Sequence, residues 1–230
     1  MTGQMTGKLV VFEGGEGSGK TTQLRRLTTW LSQEQQQQGL KWTTYFTDLI
    51  VTRQPGGTEL GGSLRQMLLQ TGESNRPLAI APQTELLLYA ADRSQHVAEL
   101  LRPSLEQRAL VLCDRYTDST IAYQGYGRGL DLHLIHQLNH IATAGLQSHL
   151  TFWLDVDVEL GLARARQRGT IDRIEQTDLG FHRRVRQGFQ DLAQAHPDRI
   201  VRIDAQGDEG QVAAQVQAIF AQRFYQWCAP

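Results

Sequence analysis

Four short apolar-rich runs stand out along the 230-residue chain: 9–12 (LVVF), 109–113 (ALVLC), 150–156 (LTFWLDV) and 199–203 (RIVRI). They are too short for helices and lack strict polar alternation, the pattern of strands buried on both faces. A fifth, more polar run at 42–52 predicts another strand. Each run is followed by a segment long enough for a helix. Strand alternating with helix predicts a parallel sheet covered on both faces, with right-handed crossovers.

The intervening segments carry helix end signals. Segment 21–38 closes on four glutamines before Gly39, a C-terminal stop. Segment 58–71 starts at an N-cap threonine after the turn Pro55-Gly56-Gly57. Pro82 suits a first helical turn, and that helix is expected to run through 85–101 and stop at Pro103. Asp131 is expected to cap a helix to Ala144, and 158–168, 177–196 and 209–227 complete the set. The polar stretch 167–177 contains Gly169 and joins two helices, so a mobile lid is expected there. Without a linker or internal repeat, 1–230 reads as a single domain.

Composition narrows the class. Hydrophobic residues make up 40% of the chain, enough for one sizeable core. A net charge of −1 argues against a general nucleic-acid binder, whose phosphate contacts need excess Lys and Arg. Two cysteines, Cys113 in an apolar run and Cys228, make no disulfide framework or metal cluster. The first residues lack an apolar leader, and no run approaches the roughly 20 apolar residues of a membrane span. A cytoplasmic protein without a membrane partner is the expectation.

The chemistry is concentrated in GGEGSGKT, which follows the first apolar run and opens a helical segment. Strand, G-x-x-x-x-G-K-T and helix make a phosphate-binding P-loop, in which loop amides and a helix N-terminus surround an anion. Gly14, Gly15, Glu16, Gly17, Ser18, Gly19, Lys20, Thr21 and Thr22 are thus candidates for binding ATP. Lys20 would reach the outer phosphates and Thr21 would offer its hydroxyl to Mg²⁺.

Further clusters fall where the sheet's C-terminal edge should lie, where such folds bind ligands. Asp114-Arg115 ends the second apolar run: an acid near Mg²⁺ or its waters, and an arginine suited to phosphate. Arg53 stands at a strand end before the Pro-Gly-Gly turn. Tyr89 and Arg93 are four apart and share a helix face, a ring and a guanidinium suited to a base. Arg164, Arg166, Arg168 and Arg173 surround the expected lid, and an arginine finger is a recurring part of phosphoryl transfer.

Taken together and in order, FEGGEGSGKTTQ (12–23), TRQPGGT (52–58), AADR (90–93), DRYTDSTIAYQGYGRG (114–129) and LDVDVELGLARARQRGTIDRIEQ (154–176) resemble bacterial thymidylate kinases. The resemblance implies a three-layer α/β/α P-loop NTPase fold with a five-stranded parallel sheet. It implies transfer of the ATP γ-phosphoryl group to dTMP, with Mg²⁺, usually by a homodimer. It also implies roles: Glu16 at the dTMP sugar, Arg53 and Arg115 at its phosphate, Tyr89 stacked on thymine, Arg93 at the thymine edge, and Thr120 and Gln124 in a loop lining that pocket. Pro55 falls in a tight turn. Metal contacts fall to Thr21 and Asp114. The catalytic set is Lys20, Arg115 and a lid arginine. Gly17 stands where another type of P-loop carries arginine, which assigns that charge to the lid: Arg168 first, Arg164 and Arg173 as rivals.

The chain departs from the family twice. The turn usually reads TREPGGT, and Gln54 replaces its acid, which would help to order the metal. The segment 41–50 is longer than typical, and an extended strand or hairpin is expected. Two rival functions are weighed. A deoxynucleoside kinase would need a base to deprotonate a hydroxyl. A GTPase-like switch would need N-K-x-D, which is absent. His133, His136 and His140 share a helical stripe without an acid and read as surface residues.

Overall fold

The computed structural model describes residues 6–37, 39–69, 79–167, 169 and 172–229. Five strands, β1 (Lys8–Glu13), β2 (Leu49–Arg53), β3 (Leu110–Asp114), β4 (Leu150–Asp155) and β5 (Ile200–Asp204), form one parallel sheet in the order β2-β3-β1-β4-β5. Consecutive residues of β1 feed opposite layers, as a period of two demands. Val10 and Phe12 pack with Leu27, Leu31, Phe220 and Phe224 beneath α1 (Lys20–Gln36) and α9 (Glu209–Cys228). Leu9 and Val11 pack with Val97, Leu101 and Cys113 on the other face. That face is covered by α3 (Pro82–His96) and its continuation, while α8 (Leu179–Ala195) brings Phe181 and Phe189 against Trp153. The strand register sets Arg53 opposite Asp114 and Asp114 opposite Phe12, so three strand ends meet at the C-terminal edge.

Three expectations about elements need correction. Within 42–52 only Leu49–Arg53 is strand; Trp42–Thr44 is a 3-10 turn. Trp42 is buried with its indole N–H donated to Leu31 O at 2.9 Å, and Phe46 sits beside Phe224, so this segment plugs the end of a core layer instead of extending a strand. Pro103 does not stop its helix. After α3 the chain widens into a π-helical turn, Val97–Leu101, and Pro103 enters the first turn of α4 (Arg102–Glu106), where no N–H is required. The stretch after Arg115 is not a loop: Thr117–Thr120 (α5) runs into a π-helical segment, Ile121–Gly127. Its Gly-, Thr- and Ser-rich sequence has weak helical preference. Packing imposes the helix, since α8 lies so close that a Cβ on Gly188 would sit 2.8 Å from the Tyr126 ring.

The remaining helices are α2 (Glu59–Leu69), α6 (Leu132–Thr143) and α7 (Val158–Gln167). Asp131 caps α6 through His133 N, and Asp208 and Gln211 form a capping box on α9.

Candidate active site

β1 delivers the chain into the phosphate loop at the sheet edge. Gly14, Gly17 and Gly19 take φ values of 145°, 63° and 88°, which side chains disfavour, and this curls the loop ahead of α1. Lys20 folds back over it, donating to Gly15 O at 2.7 Å, Gly14 O at 3.1 Å and Ser18 Oγ at 3.2 Å. Burial, then the Arg115 charge, lowers the Lys20 pKa to about 8 despite Glu16, Asp114 and Glu13 nearby. A phosphate would raise it again. Thr21 Oγ1 donates to Asp114 Oδ2 at 2.9 Å across 93 residues of sequence. A hydroxyl and a carboxylate side by side are hard oxygen donors that fit Mg²⁺ with retained waters. Gln23 donates to Glu209 O at 3.0 Å and ties α1 to the first turn of α9.

Glu16 and Arg115 form the floor between the two ends of the cavity. Arg115, in a left-handed conformation (φ 69°), donates to Glu16 at 3.0 Å, to Gly14 O at 3.0 Å and to Ser119 Oγ at 3.1 Å, with its guanidinium 4.9 Å from the Tyr123 ring centre. Tyr123 donates its hydroxyl to Glu16 at 2.6 Å. Burial works to raise the Glu16 pKa, but Arg115, Lys20 and the Tyr123 hydroxyl outweigh it and hold it at about 2. Glu16 is an ionised acceptor throughout the physiological range.

The other end of the cavity is rich in guanidinium groups. Arg53 and Arg65 line it with Arg115, and Arg65 Nη1 donates to Pro55 O at 3.0 Å. Burial, then the charges of Arg53 and Arg115, lowers the Arg65 pKa, so these cations crowd one another. An anion there relieves that repulsion. Tyr89 lines the same end, its phenol held neutral by burial. Arg93 is buried and donates to Gln54 Oε1 (3.0 Å), Asn139 Oδ1 (2.8 Å), Tyr116 O (3.2 Å) and Thr120 Oγ1 (2.7 Å). Gln124 donates to Glu85, a buried carboxylate that also receives Arg128. The Gln54–Pro55 bond is cis.

Gln54 is not where the metal reading expected it. It is buried, and its amide faces Arg93 and His96, so the charge it lacks is missing from the Arg93 end and not from the Thr21–Asp114 pair.

The expected lid arginines are dispersed. Arg164 lines the cavity and donates to Ala205 O (2.8 Å) and Gln206 O (3.0 Å), beyond the P-loop. Arg173 is buried away from the phosphate cradle, paired with Glu85 and donating to Leu68 O at 2.8 Å. Arg168 lies outside the described residues. From the expected lid, Asp172, Ile174 and Glu175 line the cavity. His133, His136 and His140 are exposed on α6, and no cluster of three or more His, Cys, Asp or Glu placed to hold a metal ion occurs among the described residues.

Arg65, Tyr123, Glu85 and His96 escaped the sequence reading. Arg65 lies seven residues beyond Thr58, on successive turns of one helix face, a spacing that could have flagged it. Tyr123 sits inside the quoted DRYTDSTIAYQG block. Nothing local marks Glu85 or His96, because their partners come from other elements.

The sequence model of the thymidylate kinase family, described as "Thymidylate kinase", matches residues 12–216. Thymidylate kinases of Cyanothece sp. and Acaryochloris marina are 56% and 52% identical over 230 and 236 aligned positions, covering 97% of this chain in both cases and 97% and 99% of theirs. The crystal structure of thymidylate kinase from Ehrlichia chaffeensis is similar at a TM-score of 0.70 and 34% identity, over 94% of this chain and 99% of that one. The expected three-layer α/β/α P-loop fold is present, and the chain belongs to the thymidylate kinase family.

Proposed function

We propose that the protein transfers the γ-phosphoryl group of ATP, with Mg²⁺, to the 5′-phosphate of dTMP, giving dTDP and ADP. The observation that carries this is one cavity of about 1210 Å³ running from the P-loop to the cluster of Arg53, Arg65 and Arg115, room for two nucleotides placed phosphate to phosphate. Lys20 and the loop amides hold the donor phosphates. Thr21 and Asp114 would hold the metal, which when bound neutralises charge on the phosphate oxygens. Arg53 and Arg115 orient the acceptor phosphate, Glu16 accepts from its sugar, Tyr89 stacks on the base and Arg93 meets the base edge. The acceptor is already anionic, so no strong base is needed, and catalysis is positioning plus charge stabilisation.

Arg168 supplies charge to the transferring group in this reading. Arg164, beside the 205–207 turn, belongs to the donor's nucleoside end. In this reading the protein acts in the cytoplasm. It works as a homodimer, as the apolar residues exposed on α2, α3 and α6 support. A coupled ADP-release assay across dTMP, dUMP, dCMP, dGMP and thymidine tests the reaction. The highest kcat/KM is expected for dTMP. Turnover of thymidine without dTMP would replace the reading with a nucleoside kinase.

A further inference from the structure

The departure at Gln54 has a geometric consequence that rests on donor and acceptor bookkeeping. Arg93 Nε can only donate, so the atom it meets at 3.0 Å is the Gln54 amide oxygen. That orients the Gln54 amide, and its NH₂ faces His96 Nδ1 at 2.8 Å. An NH₂ can only donate, so Nδ1 carries no proton. The other ring nitrogen then carries it, and Nε2–H donates to Thr52 Oγ1 at 2.7 Å. Gln54, Arg93 and His96 are each at most 3% exposed, so water does not relax this order. The Gly56–Gly57 turn closes over the ring: a Cβ on Gly57 would lie 2.5 Å from Nε2.

The charge count is equally constrained. All four hydrogen-bond partners of Arg93 are neutral, and among the described residues no carboxylate makes an ion pair with it. Asp92, beside it in sequence, turns away to accept from Gly56 N at 2.9 Å. One guanidinium N–H is left over, and Arg93 lines the cavity. The acid usual in the family would neutralise Arg93, and it would demand a proton on His96 Nδ1.

We propose that Gln54 and His96 are positioning residues for the acceptor site: Gln54 locks His96 in the neutral Nε2–H tautomer and holds Arg93 by its Nε without an ion pair, so that the remaining Arg93 N–H serves the acceptor nucleotide. This rests on the phosphoryl-transfer reading above. His96 is suited to the role, because burial and then the Arg93 charge lower its pKa to about 4.

The test has a spectroscopic and a kinetic arm on the full chain. Nitrogen-15 NMR of the ligand-free wild type at pH 7.5 should show His96 with Nε2 protonated and Nδ1 bare. In Gln54→Glu, position 54 has only acceptors, so Nδ1 should gain a proton. In the kinetic arm, Gln54→Leu should raise the acceptor KM about tenfold, as expected for losing a hydrogen bond to a charged group. The ATP KM and kcat should stay within threefold. A protonated Nδ1 in the wild type overturns the proposal, as does an unchanged acceptor KM in Gln54→Leu. The NMR arm needs no acceptor, so a failure of the dTMP reading is told apart from a failure of this one. The kinetic arm uses whichever monophosphate the wild type turns over.

Discussion

Two glutamates three residues apart show how far environment separates identical side chains. Glu16 is pulled down to about 2 against its burial by Arg115 and its neighbours. Glu13, at the end of β1, is pushed up to about 7 by burial and then by Asp118, although Ser119 and the Tyr116 amide donate to it. The first is an ionised acceptor held by Arg115 and Tyr123 at the phosphate loop, and the second a structural clamp on the start of α5. In the unfolded chain a glutamate titrates near ~4.3. The folded carboxyl thus binds its proton more tightly, so the stability Glu13 contributes is full below about 4, falls as pH rises towards about 7 and is flat above. Glu13→Gln mimics the protonated acid. Relative to wild type, its unfolding free energy from urea titration should improve between pH 5 and pH 8 by on the order of 2 kcal/mol. A difference that stays constant with pH would refute the clamp. The motif residues at this scale were legible because P-loop chemistry needs fixed short spacings. Arg65, Tyr123 and His96 were not, because their roles exist only through partners from other elements.

Among the elements, α7 fixes why position 17 is glycine. A Cβ on Gly17 would lie 1.9 Å from Gly161 O, and a Cβ on Gly161 would lie 2.4 Å from Glu16 O. The first turns of α7 are seated directly on the phosphate loop, and a P-loop arginine would displace them. Arg168→Ala should lower kcat on the order of a thousandfold with the dTMP KM nearly unchanged. Arg173→Ala should instead cost about 3 kcal/mol of stability, because it leaves the buried Glu85 charge without its closest partner. Steady-state kinetics beside thermal unfolding separates the two outcomes. If Arg173→Ala abolishes turnover while staying as stable as wild type, the assignment of both arginines is reversed. Element types were legible where apolar runs were strong. The π-helical segments at Val97–Leu101 and Ile121–Gly127 were hidden, since nothing in their local preference selects that winding over a turn.

Across the whole molecule, three neighbouring helices carry exposed apolar groups: Leu60 and Met67 on α2, Leu87 on α3 and Ile141 on α6, the last 73% exposed. These helices pack side by side, and α2 and α3 also carry Arg65, Tyr89 and Arg93. Association through this face would therefore brace the acceptor end. Light scattering behind size exclusion should give a dimer for wild type at micromolar concentration and a monomer for Ile141→Glu. A wild-type monomer at that concentration would remove the homodimer from the proposed function.

The sequence by itself determined the layered parallel sheet, because its central strands β1, β3 and β4 are buried on both faces and must be written in apolar runs. It also determined the phosphate loop, whose backbone curl requires glycine at set positions. Only the tertiary structure decided which charges meet. Asp114 reaches Thr21 and Arg115 reaches Glu16 through strand register, Arg173 is taken up by Glu85, and Gln54 is turned from the metal pair to His96. Each of these pairs spans tens of residues, and the energy of a charge depends on burial and partners that no local spacing encodes.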